Sequence, residues 1–133
     1  MASQKSTILS AFNDHFMEFL TDIHNVFPKD PDILTAKNSL GLIRKANPKI
    51  IIGIWHSHIV AKYKDTIEAG DIRFFMEKNY VEDLNKTANA SKIMEAIDRL
   101  RNPVKMMSPD DQQKTMKYIQ NLTKLAILYH SLE

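Results

Sequence analysis

The chain has 133 residues, of which 44% are hydrophobic and 26% charged, with a formal net charge of +2. That balance excludes wholesale disorder and leaves material for one ordinary core, but not for two domains. Cysteine is absent and glycine numbers only 3. Disulfide scaffolds, zinc–thiolate sites and thiol nucleophiles are thereby excluded, and glycine-rich phosphate cradles are hard to build.

The opening residues, MASQKST, carry no apolar core of signal-peptide length. The longest apolar run, Ile50 to Val60, is broken by Gly53, His56, Ser57 and His58. It falls short of the ~20 residues that span a bilayer. The reading is of a soluble cytoplasmic protein with no membrane association.

Helical spacing begins at about Thr7. Ile8, Phe12, Phe16, Phe19, Leu20 and Ile23 recur on one side, with Ser6 or Thr7 as N-cap and Phe27-Pro28 as the stop. Asp14, Glu18 and Asp22 share the opposite face, beside His15. Asp30-Pro31 starts a second helix, since aspartate caps free amides and proline suits the first helical position. Its inner stripe is Ile33, Ala36, Leu40 and Ile43, and it should end near Ala46, ahead of Pro48.

Asn47-Pro48 repeats the start signal, and Gly70 suits the position just past a helix end. A strand reading of IIIGIW competes, because β-branched residues favour sheets. The start and stop signals favour a helix of about 20 residues whose inner side holds Ile51, Trp55, His58, Ile59 and Lys62. A short helix over 72–78 follows, turning Phe74, Phe75 and Met76 inward, then a turn at 81–84 and a polar loop over 85–90. Ser91 starts a fifth helix with Ile93, Met94, Ile97 and Leu100 inward, ending before Asn102-Pro103. Ser108-Pro109-Asp110-Asp111 is the strongest start signal: a cap, a proline, then acids against the helix dipole. The last helix, Pro109 to His130, buries Ile119, Leu122, Ala126 and Tyr129, flanked by Met116 and Leu125.

The expected fold is an all-α single domain over 1–133, a compact bundle of five to six helices around a central helix at about 48–69. Residues 1–6 are expected to be disordered. The 132–133 pair is compatible with a cloning scar and is given no meaning.

Charge alternates in blocks. Residues 1–32 carry −3, 33–64 carry +6, 65–98 carry −4 and 99–133 carry +3. Such blocks attract one another when helices pack, or leave a basic surface for a partner. Arg44, Lys45 and Lys49 cluster at one turn, and Arg99, Arg101 and Lys105 at another. Should they converge, they would track a phosphate backbone. With 14 lysines against 4 arginines, base-specific readout is not indicated. Asp14, Glu18 and Asp22 form an acidic face that is either plainly solvated or a dock for a basic partner.

His56 and His58 lie about 200° apart on a helix and cannot face one ion; on a strand they would. His58 is read as a hydrogen-bonded core-edge residue and His56 as a solvent residue. No Glu-x-x-His pair, Gly-x-Ser-x-Gly elbow or phosphate loop occurs. No catalytic residue, metal ligand or cofactor is expected. Met106-Met107 is a candidate exposed contact patch.

The stretches FNDHFMEFLTDI, KANPKIIIGIW, AGDIRFFMEKNY and KIMEAIDRL with KYIQNLTKL resemble small helical proteins encoded by large DNA viruses of algae and protists. The resemblance covers most of residues 10–129 and implies a virion or infected-cell role; it carries over no functional residue. The first functional expectation is a non-enzymatic helical interaction or structural protein with a protein partner, which includes a homo-oligomer. The runner-up is a sequence-tolerant nucleic-acid binder using the clusters at 44–49 and 99–105.

Overall fold

A computed structural model describes residues 4–71, 93, 95–97 and 99–132. Helix α1 spans Gln4–Val26 and α2 spans Pro31–Ala46. Then α3 (Ile50–Ile54), a π-helical segment (Trp55–Val60) and α4 (Ala61–Glu68) run on as one rod. Residues 93, 95–97 and 99 are helical, and α5 (Arg101–Lys105) and α6 (Pro109–Ser131) complete the description. No strand occurs among the described residues. The protein is an all-α bundle, and no described helix is long and apolar enough to cross a membrane.

The ends of these helices follow from local chemistry. Asp30 accepts a bond from the Asp32 amide at 2.9 Å and Pro31 takes the first position of α2. Ser108 does the same for α6, accepting from the Asp111 amide at 3.2 Å. Gly70 adopts φ 78° after α4. Its amide bonds the Ile67 carbonyl at 3.0 Å and the Asp71 amide bonds that of Thr66 at 3.2 Å. This paired closure needs a left-handed residue, which glycine supplies without strain.

Three expectations shift. First, α1 is already helical at Gln4, so Ser6 and Thr7 lie inside it rather than capping it. Lys5 Nζ sits 4.7 Å over the Tyr129 ring, which ties that first turn to α6. Second, the helical residues up to Arg99 give way to a turn at Leu100, ahead of Asn102-Pro103 as expected, but an unforeseen short helix, α5, then takes in that pair. Pro103 falls in the first turn of α5, where its missing N–H has no helical partner to lose. Third, the central helix is not uniformly α-helical, and Lys62 is exposed rather than inward. The expected elements at 72–78, 81–84 and 85–90, the Ser91 start and Met94 lie outside the described residues.

The core sits between α1, the central rod and α6. All six apolar residues expected from α1 are buried, as are Ile33, Ala36 and Leu40 of α2 and Ile119, Leu122, Ala126 and Tyr129 of α6. Phe12 and Phe16 stack at 6.1 Å between ring centres, and each meets Trp55 edge-on at 6.2 and 6.0 Å. Trp55 is 1% exposed and its Nε1 donates to Thr123 Oγ1 at 3.1 Å. That bond satisfies the only polar atom of the largest core side chain.

Candidate functional site

The six basic candidates do not form one surface. Arg99 pairs with Asp32 at 3.0 Å, at the start of α2, and with Glu95 at 3.6 Å. Arg44, near the end of α2, pairs with Asp14 of α1 at 2.7 Å. Asp32 and Arg44 are twelve residues apart on α2. That separates the two clusters by about 18 Å along the helix axis. Lys45, Lys49 and Lys105 are exposed and Arg101 is half-buried. Two of the arginines are thus occupied in holding α2 to its neighbours.

The acidic candidates are likewise engaged within the fold. Asp14 holds Arg44. Tyr118 of α6 donates its hydroxyl to Asp22 at 2.5 Å and to Glu18 at 3.1 Å. One proton cannot serve both fully, so the bond is shared between two carboxylates. Burial, then the Asp22 carboxylate, pushes the Tyr118 hydroxyl pKa well above its ordinary value of 10. The stripe is therefore a seam along α1. Its carboxylates remain open to solvent on their outer sides, Asp14 at 73% and Glu18 at 64%.

The histidines also depart from expectation. His56 is half-buried, not solvated. Its ring stacks on His130 of α6 at 4.0 Å between centres with 13° between planes. Burial, then His130, lowers its pKa from the ordinary 6.5. His130 Nδ1 lies 2.9 Å from the Ala126 carbonyl. A carbonyl only accepts, so Nδ1 carries a proton there. His58 is half-buried on the same π-helical segment. Among the described residues no three His, Cys, Asp or Glu side chains group closely enough to hold a metal ion.

Two hollows remain. A cleft of about 210 Å³ between α1 and α6 is lined by Phe19, Asp22, Met107, Lys114 and Tyr118, among others. It holds too little space for more than a small polar group. The larger hollow, about 1040 Å³, is an open groove between α1 and α2. Its α1 wall includes Leu9, Asn13 and Met17, and its α2 wall Lys37, Leu42 and Lys45. Small residues lie along it, Ser6 and Ser10 on α1 and Gly41 on α2. A Cβ on Gly41 would lie 3.6 Å from Met17 Cε, in ordinary contact, so a larger side chain there would begin to fill the groove.

At the groove floor, Asn13 is only 3% exposed. Its Nδ2 donates to the Pro48 carbonyl at 2.8 Å, tying α1 to the turn before α3. Its Oδ1 is buried and accepts no bond. An unpaired buried acceptor costs roughly 1–3 kcal/mol, so the floor has a polar demand the fold does not meet. On the α2 wall, Leu42 stands 69% exposed. The Met106-Met107 patch is split: Met106 is 77% exposed, whereas Met107 is buried and takes a bond from Thr115 Oγ1 at 3.4 Å.

Asn13, Leu42, Gly41, Tyr118 and His130 were missed as site residues. Asn13 had a signal: an amide on the same arc as Phe12 and Phe16 must find a buried partner. Leu42 lay just off the Leu40–Ile43 stripe. Nothing local marked Tyr118 or His130, whose roles depend on contacts across the bundle.

No family model, curated protein or solved structure matches the chain. The expected kinship with viral proteins rests on the quoted stretches alone.

Proposed function

We propose that this is a non-enzymatic helical interaction protein whose working surface is the groove between α1 and α2. The observation that carries the reading is the groove itself. It is open along about three helical turns, combines Leu9, Met17 and Leu42 with a basic lip of Lys37, Arg44 and Lys45 on α2, and has an unmet hydrogen-bond acceptor beneath it. Apolar walls with polar lips are what an amphipathic helix requires of a groove. An exposed leucine beside a glycine gives such a helix both a ridge and a recess.

The nucleic-acid alternative has less support. Arg44 and Arg99 are tied to carboxylates, and the clusters they belong to lie at opposite ends of α2. What favours it is the lysine content of the α2 end: Lys45 and Lys49 are exposed there.

One comparison separates the two. Proteins captured from native cells by the wild type should be lost from Leu42→Asp, while the far-ultraviolet circular dichroism of the two stays the same. Identical captured sets would count against the groove. Salt-sensitive mobility shifts of DNA or RNA at ~50 mM salt, abolished by Lys45→Glu with Lys49→Glu, would put nucleic acid in its place.

A further inference from the structure

The two walls of the groove differ in chemistry, and this determines what fits. The turn at 27–30 reverses the chain, so α1 and α2 run antiparallel, with Met17 against Gly41 and Asp14 against Arg44. The charges that line the groove, Lys37, Arg44 and Lys45, all stand on α2. The α1 wall sets only neutral polar groups, Ser6, Ser10 and Asn13, beside Leu9 and Met17. Among the described residues no carboxylate lines the groove: Asp14 stands outside it, bonded to Arg44, and Glu18 and Asp22 turn to Tyr118. The charge of Arg44 is thus answered within the fold. Lys37 is half-buried and Lys45 exposed, and neither forms an ion pair with a described residue.

We propose that the groove receives an acidic amphipathic helix of another protein, seated with its carboxylates along α2. The inference rests on the groove being the interaction surface, and it adds the sign and the placement of the partner's charge. Lys37 and Lys45 are eight residues apart, which is about 12 Å along α2. A helix laid beside α2 has the same rise, so carboxylates about two turns apart on one flank meet both lysines at once. Its apolar stripe then covers Leu9, Met17 and Leu42. Its other flank lies over Ser6, Ser10 and Asn13 and needs no charge. A basic helix would set its charges against Lys37 and Lys45 with no carboxylate in the groove to offset them. A phosphate backbone would answer the lysines but leave Leu9, Met17 and Leu42 without an apolar partner.

The size of the groove sets the strength. Three turns by one helix diameter is roughly 16 by 10 Å. That is well below the ~800 Å² per partner of a standard interface, so binding is weak and its selectivity comes from the charge pairing.

Two fluorescein-labelled peptides of about 18 residues, long enough to form helix, test this. They share one leucine stripe; one carries glutamates on one flank and the other carries lysines at the same positions. Fluorescence anisotropy is read against the full chain up to about 1 mM in ~0.1 M salt. The glutamate peptide should bind at least about tenfold tighter than its lysine twin and weaken as salt rises to ~1 M. Lys37→Gln with Lys45→Gln should abolish that preference and Lys37→Glu with Lys45→Glu should reverse it. Leu42→Asp should weaken the glutamate peptide about tenfold, with circular dichroism still helical in all three variants. A glutamate peptide that binds no better than its twin, or as tightly to Leu42→Asp or to the charge-reversed protein as to wild type, overturns the proposal. So does a single-stranded oligonucleotide of the same net charge that binds as tightly through the two lysines, since charge alone would then suffice. A lysine peptide that binds the tighter and is lost on Leu42→Asp sinks the acidic occupant and leaves the groove standing. Native-cell captures unchanged by Leu42→Asp sink the groove itself.

Discussion

The bond between Trp55 and Thr123 offers the cleanest measure of how the core is held. Thr123→Val is close to isosteric and opens no cavity, so its cost isolates the hydroxyl. Thr123 is 2% exposed and its Oγ1 is the acceptor for the indole N–H at 3.1 Å. Valine leaves that N–H buried and unpaired, which costs about 1–3 kcal/mol. For a chain of this length, unfolding entropy scales to about 0.28 kcal/mol/K, so a loss of ~2 kcal/mol lowers Tm by about 7 °C. Urea unfolding read by circular dichroism at 222 nm serves every variant, including those that lack the single tryptophan. The decisive measurement is the double-mutant cycle with Trp55→Phe, which removes the N–H itself. In that background Thr123→Val should cost at least about 1 kcal/mol less than in wild type. Equal costs in both backgrounds would mean that the bond contributes nothing, and that Trp55 is held by ring packing against Phe12 and Phe16 alone.

Two glycines should respond to alanine with opposite signs. Gly53 lies within α3 with nothing within 4 Å of an added Cβ. Gly53→Ala should therefore stabilise by about 0.5–1 kcal/mol through helix propensity. Gly70 is also free of clashes, its nearest neighbour being Gln120 Nε2 at 3.7 Å, but it holds φ 78°. Gly70→Ala should destabilise by roughly 1 kcal/mol or more for conformational reasons alone; thermal melts of the two variants check both signs. For the stacked histidines, the folded pKa of His56 lies below its ordinary 6.5. As pH falls the unfolded chain takes up that proton first. The contribution of the neutral stack is thus complete above 6.5 and is lost as pH falls through the folded value. Denaturant midpoints at pH 7.5 and 5.5 should differ less in His130→Gln than in wild type, and an unchanged difference would exclude the stack as the cause.

What was legible in the sequence was whatever local chemistry decides. The limits of α2 and the start of α6 follow from Asp30-Pro31 and Ser108-Pro109, because a cap and a proline act within one turn. The buried face of α1 follows from its aromatic spacing, and Gly70 from the need for a left-handed residue. The candidate site was legible only in fragments. Asp14, Glu18 and Asp22 do share a face, but that the face meets Tyr118 and Arg44 depends on residues about 100 and 30 positions away. The basic clusters have similar composition and lie at opposite ends of α2, which no local pattern records. The groove is a property of the gap between two helices, so it is visible only when both walls are in place.

The central rod shows most directly why periodicity alone misplaced a residue. In a uniform α-helix, at 100° per residue, Ile67 would lie about 160° around the axis from Ile51, on nearly the opposite side. Both are buried at 1% exposure. The π-helical turn has roughly 4.4 residues per turn, so each of its residues advances about 18° less than in an α-helix. Over the six residues Trp55–Val60 the lag reaches about 110°, which brings Ile67 to within about 50° of Ile51. The same lag carries Lys62 off the buried side, where a uniform helix had placed it. The segment therefore acts as one surplus residue absorbed by overwidening a turn. Deleting the exposed Ser57 should let the turn revert to α-helix and leave Ile67 about 60° from Ile51, still facing the core. Deleting the equally exposed Lys64 keeps the wide turn and swings Ile67 back by 100°, to about 50° on the other side of Ile51 and away from the buried Ile52 and Val60. The first variant should remain folded with its stability little changed. The second should lose part of the burial of Ile67, whose full value is about 1.5–3 kcal/mol. The Lys64 deletion should then have the lower urea midpoint, and a Ser57 deletion as damaging as that of Lys64 would show that the wide turn does not set the register of the rod.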